Sequence, residues 1–548
     1  MKSIKEFKIK RQDAVEAFLV SLPILTYWVY WTLHPSYWMS GGDPGALYFI
    51  DSLSVFIGKS YVYVDHPGTP VQLIGSFLLA LTYPFFQSRE AFVQFFIARP
   101  GVFFLMANIF LLAVNLLCAT VFYKTVKETL HQNRVVGAMA ITLLFFIAHP
   151  LSYQSLTLWS HNSLNYPIGT LLLIWLYREM RNEQDVKHTK LILLGLTCGV
   201  LAIAQMYFFA WIVAGVFTIV IYALRLGKGF KQAIISGLYM SLGGLIGVVL
   251  MLIPIHKELP RFAKWLGSII THLGIYGSGE SGVFSLSLIP ISVSFWWSTI
   301  RFMIILLLAS LVLLGVFVSW AKRTATRIPA GDYSMVVGLL FQITIILLLM
   351  IKASVKLRYS LSLAGILPVL VFLIVKFLES TPWKASLVLK AAYILALAGV
   401  VLSLYNQKEN VDYWSQLEKD TQKSKDRAVN RFAKKMGMKE KDVVVVYAYA
   451  TPLKCAGLLH ASNWTGSFKD ELGDVCPNQH AVWDSNIELN TAVPVRAITD
   501  IDWDIVVWPG NGSDLPKYLD SVGAVNIPKS WNALYPSWFF IHSDVLTK

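Results

Sequence analysis

The 548-residue chain is poor in charge: Asp, Glu, Lys and Arg together make up 15% of it, against about 25% in ordinary soluble domains. Hydrophobic residues make up 55% and the mean hydropathy is +0.55. A soluble core of this size cannot hide so much apolar surface, so disorder, coiled coil and an array of soluble domains are excluded, and lipid must be part of the solvent. Cysteine is scarce as well. The four present exclude a disulfide-rich secreted module. No CxxC or HExxH metal spacing occurs, nor a P-loop, nor a GxGxxG after a strand, so soluble-enzyme chemistry is not advertised. No cleavable signal peptide is expected either. Met1 to Arg11 is basic, but the apolar run after it has full membrane length and ends at Trp28, Trp31 and His34. It reads as a first membrane helix that doubles as an uncleaved signal.

What is present is a series of long apolar runs. They predict about eleven membrane helices, over 14–33, 100–123, 135–149, 163–178, 190–205, 207–224, 233–255, 296–320, 333–351, 361–378 and 387–404. The net charge of +14 is unevenly shared: residues 405–548 hold −2, leaving +16 on the first 404. Most of that excess sits in short loops. The N-terminus and the loops near 124–134, 178–190, 225–231, 322–332 and 376–385 hold 20 Lys and Arg; the loops of opposite parity hold 9. This is positive-inside patterning, not a nucleic-acid face. It predicts a cytoplasmic N-terminus and an exported C-terminus.

The fold class expected is therefore an all-α polytopic membrane protein with a small α/β extracytoplasmic C-terminal domain. The first module spans 1–404 and the second 405–548. The first outer loop, 34–99, is long and contains the apolar stretch Val71 to Phe86. If that stretch crossed the bilayer, every later loop would invert, so it reads as a helix lying at the outer interface. In the tail, Asn406–Asp442 is charged and patterned as a helix. Val443–Tyr447, Ile505–Trp508 and Trp538–Ile541 read as buried strands. Cys118 and Cys198 fall in membrane helices as packing residues. Cys455 and Cys476 share the exported domain, where a disulfide is permitted.

Ionisable residues are nearly absent from the middles of the eleven helices, and Arg301 and Lys390 lie near enough to helix ends to snorkel. Ion-coupled transport usually needs such groups at the midplane. The polar chemistry gathers at the outer rim. In the first loop, Gly41-Gly42-Asp43-Pro44-Gly45 leads to Tyr48 and Asp51, and Tyr61-Val62-Tyr63-Val64-Asp65-His66 leads to Pro67-Gly68-Thr69-Pro70. A carboxylate fixed at Asp43 suits a general base acting on a hydroxyl, or equally the N-cap of a helix beginning near Gly45. His66 suits a phosphate or a turn at Asp65. The second outer loop offers His161 and Asn162 as neutral partners for sugar hydroxyls, with helix capping the other role for Asn162. Gln205 and Tyr207 lie at a tight outer turn, Tyr207 fitting an interfacial aromatic belt as well. Tyr276 and Glu280, in the Gly-rich run His272–Gly282, suit an acceptor lid or a solvated loop. The sequons at Asn463 and Asn511 are short enough to arise by chance.

With an Asp shortly after the first helix, a Tyr just beyond, and a basic-Pro element before an interfacial helix, the chain resembles the C-type glycosyltransferase superfamily. The protein O-mannosyltransferases and lipid A aminoarabinose transferases are the members it looks most like. Asp43, Tyr48 and His66-Pro67-Gly68-Thr69-Pro70 carry the resemblance, with Lys352 through Arg358-Tyr359 leading into a helix with Pro368. It covers roughly residues 14 to 380. The resemblance implies transfer of a sugar from a polyprenyl-phosphate donor to a glycan, lipid or protein acceptor on the outer face, with inversion. Asp43 inherits the role of base. Arg358, Lys352, Lys356 and His66 inherit the donor phosphate, and Tyr48, Asp65, His161, Asn162, Gln205, Tyr207 and Tyr359 line the substrate. His66 stands where the family commonly has Lys, and the second loop carries no carboxylate, so metal-independent transfer is expected, in a bacterial inner membrane. A lipid-linked-sugar flippase or transporter and a non-catalytic envelope assembly protein are the alternatives.

Overall fold

The structure is a computed structural model that describes residues 11–34, 45–59, 68–131, 134–271, 286–352, 360–381, 385–447, 453–465, 467–482, 503–509, 533–535 and 538–542. Each apolar run of the sequence is a helix: α1 (Arg11–Leu33), α5 (Pro100–Thr129), α6 (Arg134–Ile147), α8 (His161–Met180), α9 (His188–Ala204), α10 (Phe209–Arg225), α11 (Phe230–Leu252), α13 (Leu288–Arg323), α14 (Ala330–Lys352), α15 (Leu361–Glu379) and α16 (Ala385–Met436), with the short α7 (Ser152–Thr157) and α12 (Leu259–Thr271) between them. Among the described residues eight of these are long and apolar enough to cross a membrane. The exceptions are α6 and α9, of 14 and 17 residues, and α8, whose first turns carry His161, Asn162 and Asn165. The protein is an all-α polytopic membrane protein with a small α/β domain.

The first loop holds three helices, α2 (Gly45–Phe56), α3 (Thr69–Thr82) and α4 (Arg89–Ala98). Gly68 takes a left-handed φ of 46° just before α3, and Pro70 sits in its first turn, where a missing N–H costs nothing. A short turn at Tyr83–Phe85 follows, and the axis then bends by 118° into α4. The Ser88 hydroxyl caps α4 by accepting from Ala91 N at 3.1 Å. The apolar stretch at Val71–Phe86 is thus a helix that folds back at a sharp bend.

Helix α16 is 52 residues long. The sequence changes from apolar to charged near Leu404, yet the helix runs through the change and ends where Gly437 takes φ 68°. The charged segment Asn406–Asp442 is thus mostly the continuation of the last membrane helix and not a separate element. Beyond it the tail builds a five-stranded sheet in the order β2-β1-β3-β5-β4. The strands are β1 (Val445–Tyr447), β2 (Gln479–Ala481), β3 (Ile505–Pro509), β4 (Ala533–Tyr535) and β5 (Trp538–His542). β1 is parallel to β2 and β3, while β5 runs antiparallel to β3 and β4. Helices α17 (Lys454–Thr465) and α18 (Lys469–Val475) are joined by the disulfide Cys455–Cys476, with Cα atoms 5.8 Å apart. Cys118 and Cys198 are free and buried in the bundle.

Charge is collected at one end of the bundle. Arg178 pairs with Glu128 at 3.3 Å, Arg327 with Glu183 at 3.2 Å, and Lys376 with the buried Asp332 at 2.6 Å. Lys228 reaches Asp185 at 2.5 Å, and the Glu379 carboxylate accepts from His131 N. These contacts tie together all five basic connections between helices that the sequence assigns to one side.

Packing is closest between α9 and α11. A methyl group on Gly195, Gly199, Gly243 or Gly247 would collide with backbone atoms of the facing helix. Small residues let the two axes approach, which is how apolar helices gain dispersion energy where lipid removes any hydrophobic drive. Gly199→Ala is therefore expected to cost about 1–3 kcal/mol through overpacking. Gly267→Ala, inside α12 where a Cβ meets nothing within 4 Å, should instead stabilise by up to about 1 kcal/mol. Thermal unfolding in detergent separates the two.

Further along α16, burial pushes the Glu418 carboxyl up to about 7, against a weaker lowering by Lys419. Because the folded value lies above the ordinary one, the fold favours the protonated acid. That preference is complete below the ordinary carboxylate range and is lost as pH rises through about 7. Glu418→Gln should thus raise stability at pH 8, by about 2 kcal/mol after allowance for partial solvent access, and give no gain at pH 4. A thermal midpoint that shifts equally at both pH values would contradict this.

Candidate functional site

Opposite the charged end, helix termini from distant parts of the sequence converge. Tyr48 on α2 and His161 at the start of α8 are both fully buried, and Tyr48 Oη lies 2.6 Å from His161 Nδ1. One residue on, Asn162 Oδ1 accepts from Gln205 Nε2 at 2.6 Å. Gln205 is the extended residue between α9 and the turn that opens α10. Tyr207, in that turn, donates to the Leu349 carbonyl near the end of α14 at 3.4 Å. The start of α15 joins through Ser360, whose hydroxyl lies 2.7 Å from His149 Nε2. Gly45, the first residue of α2, is pressed on this assembly: a Cβ there would stand 3.1 Å from the Trp159 carbonyl and 3.0 Å from Phe104.

Four of the residues predicted from sequence are thereby joined in two hydrogen-bonded pairs, Tyr48 with His161 and Gln205 with Asn162. Asn162 spends its amide oxygen on Gln205. Beside that pair, a cavity of about 10 Å³ is lined by Tyr166, Phe208, Trp211 and Ser362. It holds no more than a single water. Tyr207 faces the end of α14. The candidates Asp43, Asp65, His66, Lys356, Arg358 and Tyr359 lie outside the described residues, as do Tyr276 and Glu280. Lys352 ends α14, and its side chain is likewise outside them.

Asp51, Gln72, His149 and Ser360, all buried at this end, were not singled out as site residues from the sequence. Asp51 is fully buried one turn beyond Tyr48 on α2, and it accepts from Gln72 Nε2 of α3 at 2.7 Å. His149 is fully buried as well, and it accepts at Nδ1 from Leu151 N at 3.0 Å. The usable signal was their setting: each is a polar side chain within or beside an apolar helical run, where burial requires partners. No group of three or more His, Cys, Asp or Glu able to hold a metal ion occurs among the described residues.

No family model matches the chain, and no curated protein matches it. Among solved structures, the fold is similar to the crystal structure of the Archaeoglobus fulgidus oligosaccharyltransferase in its apo form. The likeness covers 92% of this chain and 70% of that one, at 12% identity and a TM-score of 0.43. At this degree of similarity no chemistry passes from it to this chain.

The Tyr48–His161 pair is the polar seam between α2 and α8. Tyr48→Phe keeps the ring and removes one partner of a buried imidazole, which should cost about 1–3 kcal/mol. His161→Phe in the same background should add much less than His161→Phe alone costs, since the seam is already broken. Additive losses of thermal stability would show that the two side chains do not act together.

Proposed function

We propose that the protein is a membrane glycosyltransferase of the C type, moving a sugar from a polyprenyl-phosphate donor to an acceptor on the outer face with inversion. The observation that carries the reading is the convergence, at the end of the bundle away from the basic loops, of Gly45, His161, Gln205 and Ser360. Asp43 stands two residues before Gly45 in the chain, and Arg358 two before Ser360. A base and a cation supplied from these two segments would meet the two needs of the reaction at one place.

In the proposed step, the Asp43 carboxylate takes the proton of an acceptor hydroxyl as that oxygen bonds to the anomeric carbon. The bond from the anomeric carbon to the phosphate oxygen breaks, and the electron pair leaves with the polyprenyl phosphate. Arg358, with Lys352 and Lys356, stabilises the charge that develops on the leaving group, and His66 donates a hydrogen bond to it. Attack and departure on opposite faces of the ring invert the centre. Tyr48, Asp65, His161, Asn162, Gln205, Tyr207 and Tyr359 are assigned to shaping and lining the sugar site. The second outer loop, Leu158-Trp159-Ser160-His161-Asn162-Ser163, offers no carboxylate for a divalent ion, and transfer is taken to be metal-independent. The positive-inside rule puts the basic end in the cytoplasm and the site and tail domain outside, across an inner membrane.

The test is transfer of radiolabelled sugar in membranes that contain the protein. Asp43→Asn should lower transfer by about 10²-fold or more while leaving the thermal midpoint in place. Arg358→Ala should lower it further than Arg358→Lys, and a chelator should leave the wild-type rate unchanged. Full activity in Asp43→Asn would remove the mechanism. Movement of lipid-linked sugar across the bilayer without a new glycosidic bond would identify a flippase instead.

A further inference from the structure

A cavity of about 880 Å³ bounded by described residues lies against the charged half of α16 and outside the site above. Leu33 and His34, at the end of α1, close it on the membrane side, and Lys454 of α17 closes it on the domain side. Its long wall carries Lys419, Lys423, Arg427 and Arg431, four cations at intervals of four residues. That spacing stacks them on one face of the helix. All four are exposed, and none forms a salt bridge among the described residues. Like charges stacked in this way repel and weaken the helix that holds them. The three carboxylates of the same cavity offset them only in part. Asp426 accepts from Gln422 Nε2 at 2.8 Å and sits 3.6 Å from Lys425, and Glu440 accepts from Asn430. Glu418 is held toward its neutral form by burial.

We infer that this groove binds an extended anionic saccharide along α16. A ladder from residue 419 to residue 431 is about 18 Å long, and begins about 22 Å along the helix past Leu404, where the apolar stretch ends. The last turn of α1 is level with this stretch, since Tyr30 donates to Asp412, so the ladder starts about 10 Å past that contact and leads away from the bilayer, its upper rungs beyond the depth of lipid headgroups. Regularly spaced cations fit a ligand with regularly spaced anions, such as a glycan bearing a carboxylate on successive sugars. The choice of a saccharide rests on the glycosyltransferase reading above; the affinity of the groove for an anionic chain does not.

The full chain, in nanodiscs of zwitterionic lipid at low ionic strength, would be titrated into fluorescently labelled decagalacturonate and its binding read by anisotropy. Maltodecaose serves as the neutral chain of equal length. The galacturonate should bind and the maltose chain should not, with affinity falling as salt is added. Arg427→Gln with Arg431→Gln should weaken binding by about tenfold or more; Gln is as good a helix former as Arg, so the fold survives. Lys322→Gln with Arg323→Gln, which removes the same charge in the exposed last turn of α13, should leave binding unchanged. Equal binding of the two chains, or equal loss in the two double variants, would overturn the inference. Tighter binding of a single-stranded DNA of matched charge, or of anionic vesicles, would overturn it in favour of those ligands. Binding as expected by a protein without transferase activity would leave the groove standing and remove only the proposed reaction.

Discussion

Ionised groups are costly in hydrocarbon, and this chain meets that constraint by driving them to the ends of its helices and pairing them there. The ion pairs Arg178–Glu128, Arg327–Glu183 and Lys376–Asp332 fasten the connections α5–α6, α8–α9, α13–α14 and α15–α16 into one belt. Once these connections share an end, the direction of each helix follows. The beginnings of α8, α10 and α15 and the ends of α9 and α14 must then lie together at the other end. His161, Gln205, Leu349 and Ser360 meet because of that parity, with no local sequence signal that would bring them together. The polar seam is a consequence of where charge is forbidden.

The same constraint explains what was legible beforehand. Apolar runs of membrane length are bounded by charge, so all eleven stretches were recoverable as helices from composition alone, and the basic loops gave their parity. Their ends were harder to read. Helix α16 continues 32 residues beyond Leu404 to Met436 because its 3.6-residue period persists after its hydropathy has gone, and a boundary drawn on composition falls inside it. Strands β1, β3 and β5 announced themselves as apolar runs between turn residues. Strands β2 and β4 did not, since both are three residues long, Gln479–Ala481 is mostly polar, and Ala533–Tyr535 is too short a run to stand out before Pro536.

Within the site, sequence reasoning favoured side chains whose chemistry is conspicuous and passed over those that hold the frame. Tyr48, His161, Asn162 and Gln205 stand out in the sequence as substrate contacts, and the structure joins them in two hydrogen-bonded pairs. Asp51 was seen as a polar residue of the first loop, but its burial against Gln72 depends on α2 packing across α3, a tertiary fact that no local pattern carries. The close approach of α9 and α11 was no more visible. Glycines are spread through many membrane helices, and only the facing pairs Gly195 and Gly199 with Gly243 and Gly247 turn them into an interface.

The tail domain is coupled to the first loop by direct packing. Leu458 and Ala461 of α17, with Phe468 and Leu472, share a buried cluster with Leu53 of α2 and Phe92 and Phe96 of α4. Lys59 stacks over the Phe468 ring at 4.7 Å, and Lys454 donates to the Ala98 carbonyl. The Cys455–Cys476 bridge locks α17 to the end of α18, so this surface is offered as one unit. Helix α2 is thus held on two sides, by His161 from the bundle and by α17 from the tail, while α16 ties that tail to the membrane through a single unbroken helix. Any movement of the domain along α16 must either carry α2 with it or open the seam at Tyr48. A ligand that engages the exposed half of α16 and the groove beside Lys454 therefore acts on the same rigid connection that positions the first loop. The domain is mechanically part of the site, although its chemistry lies elsewhere.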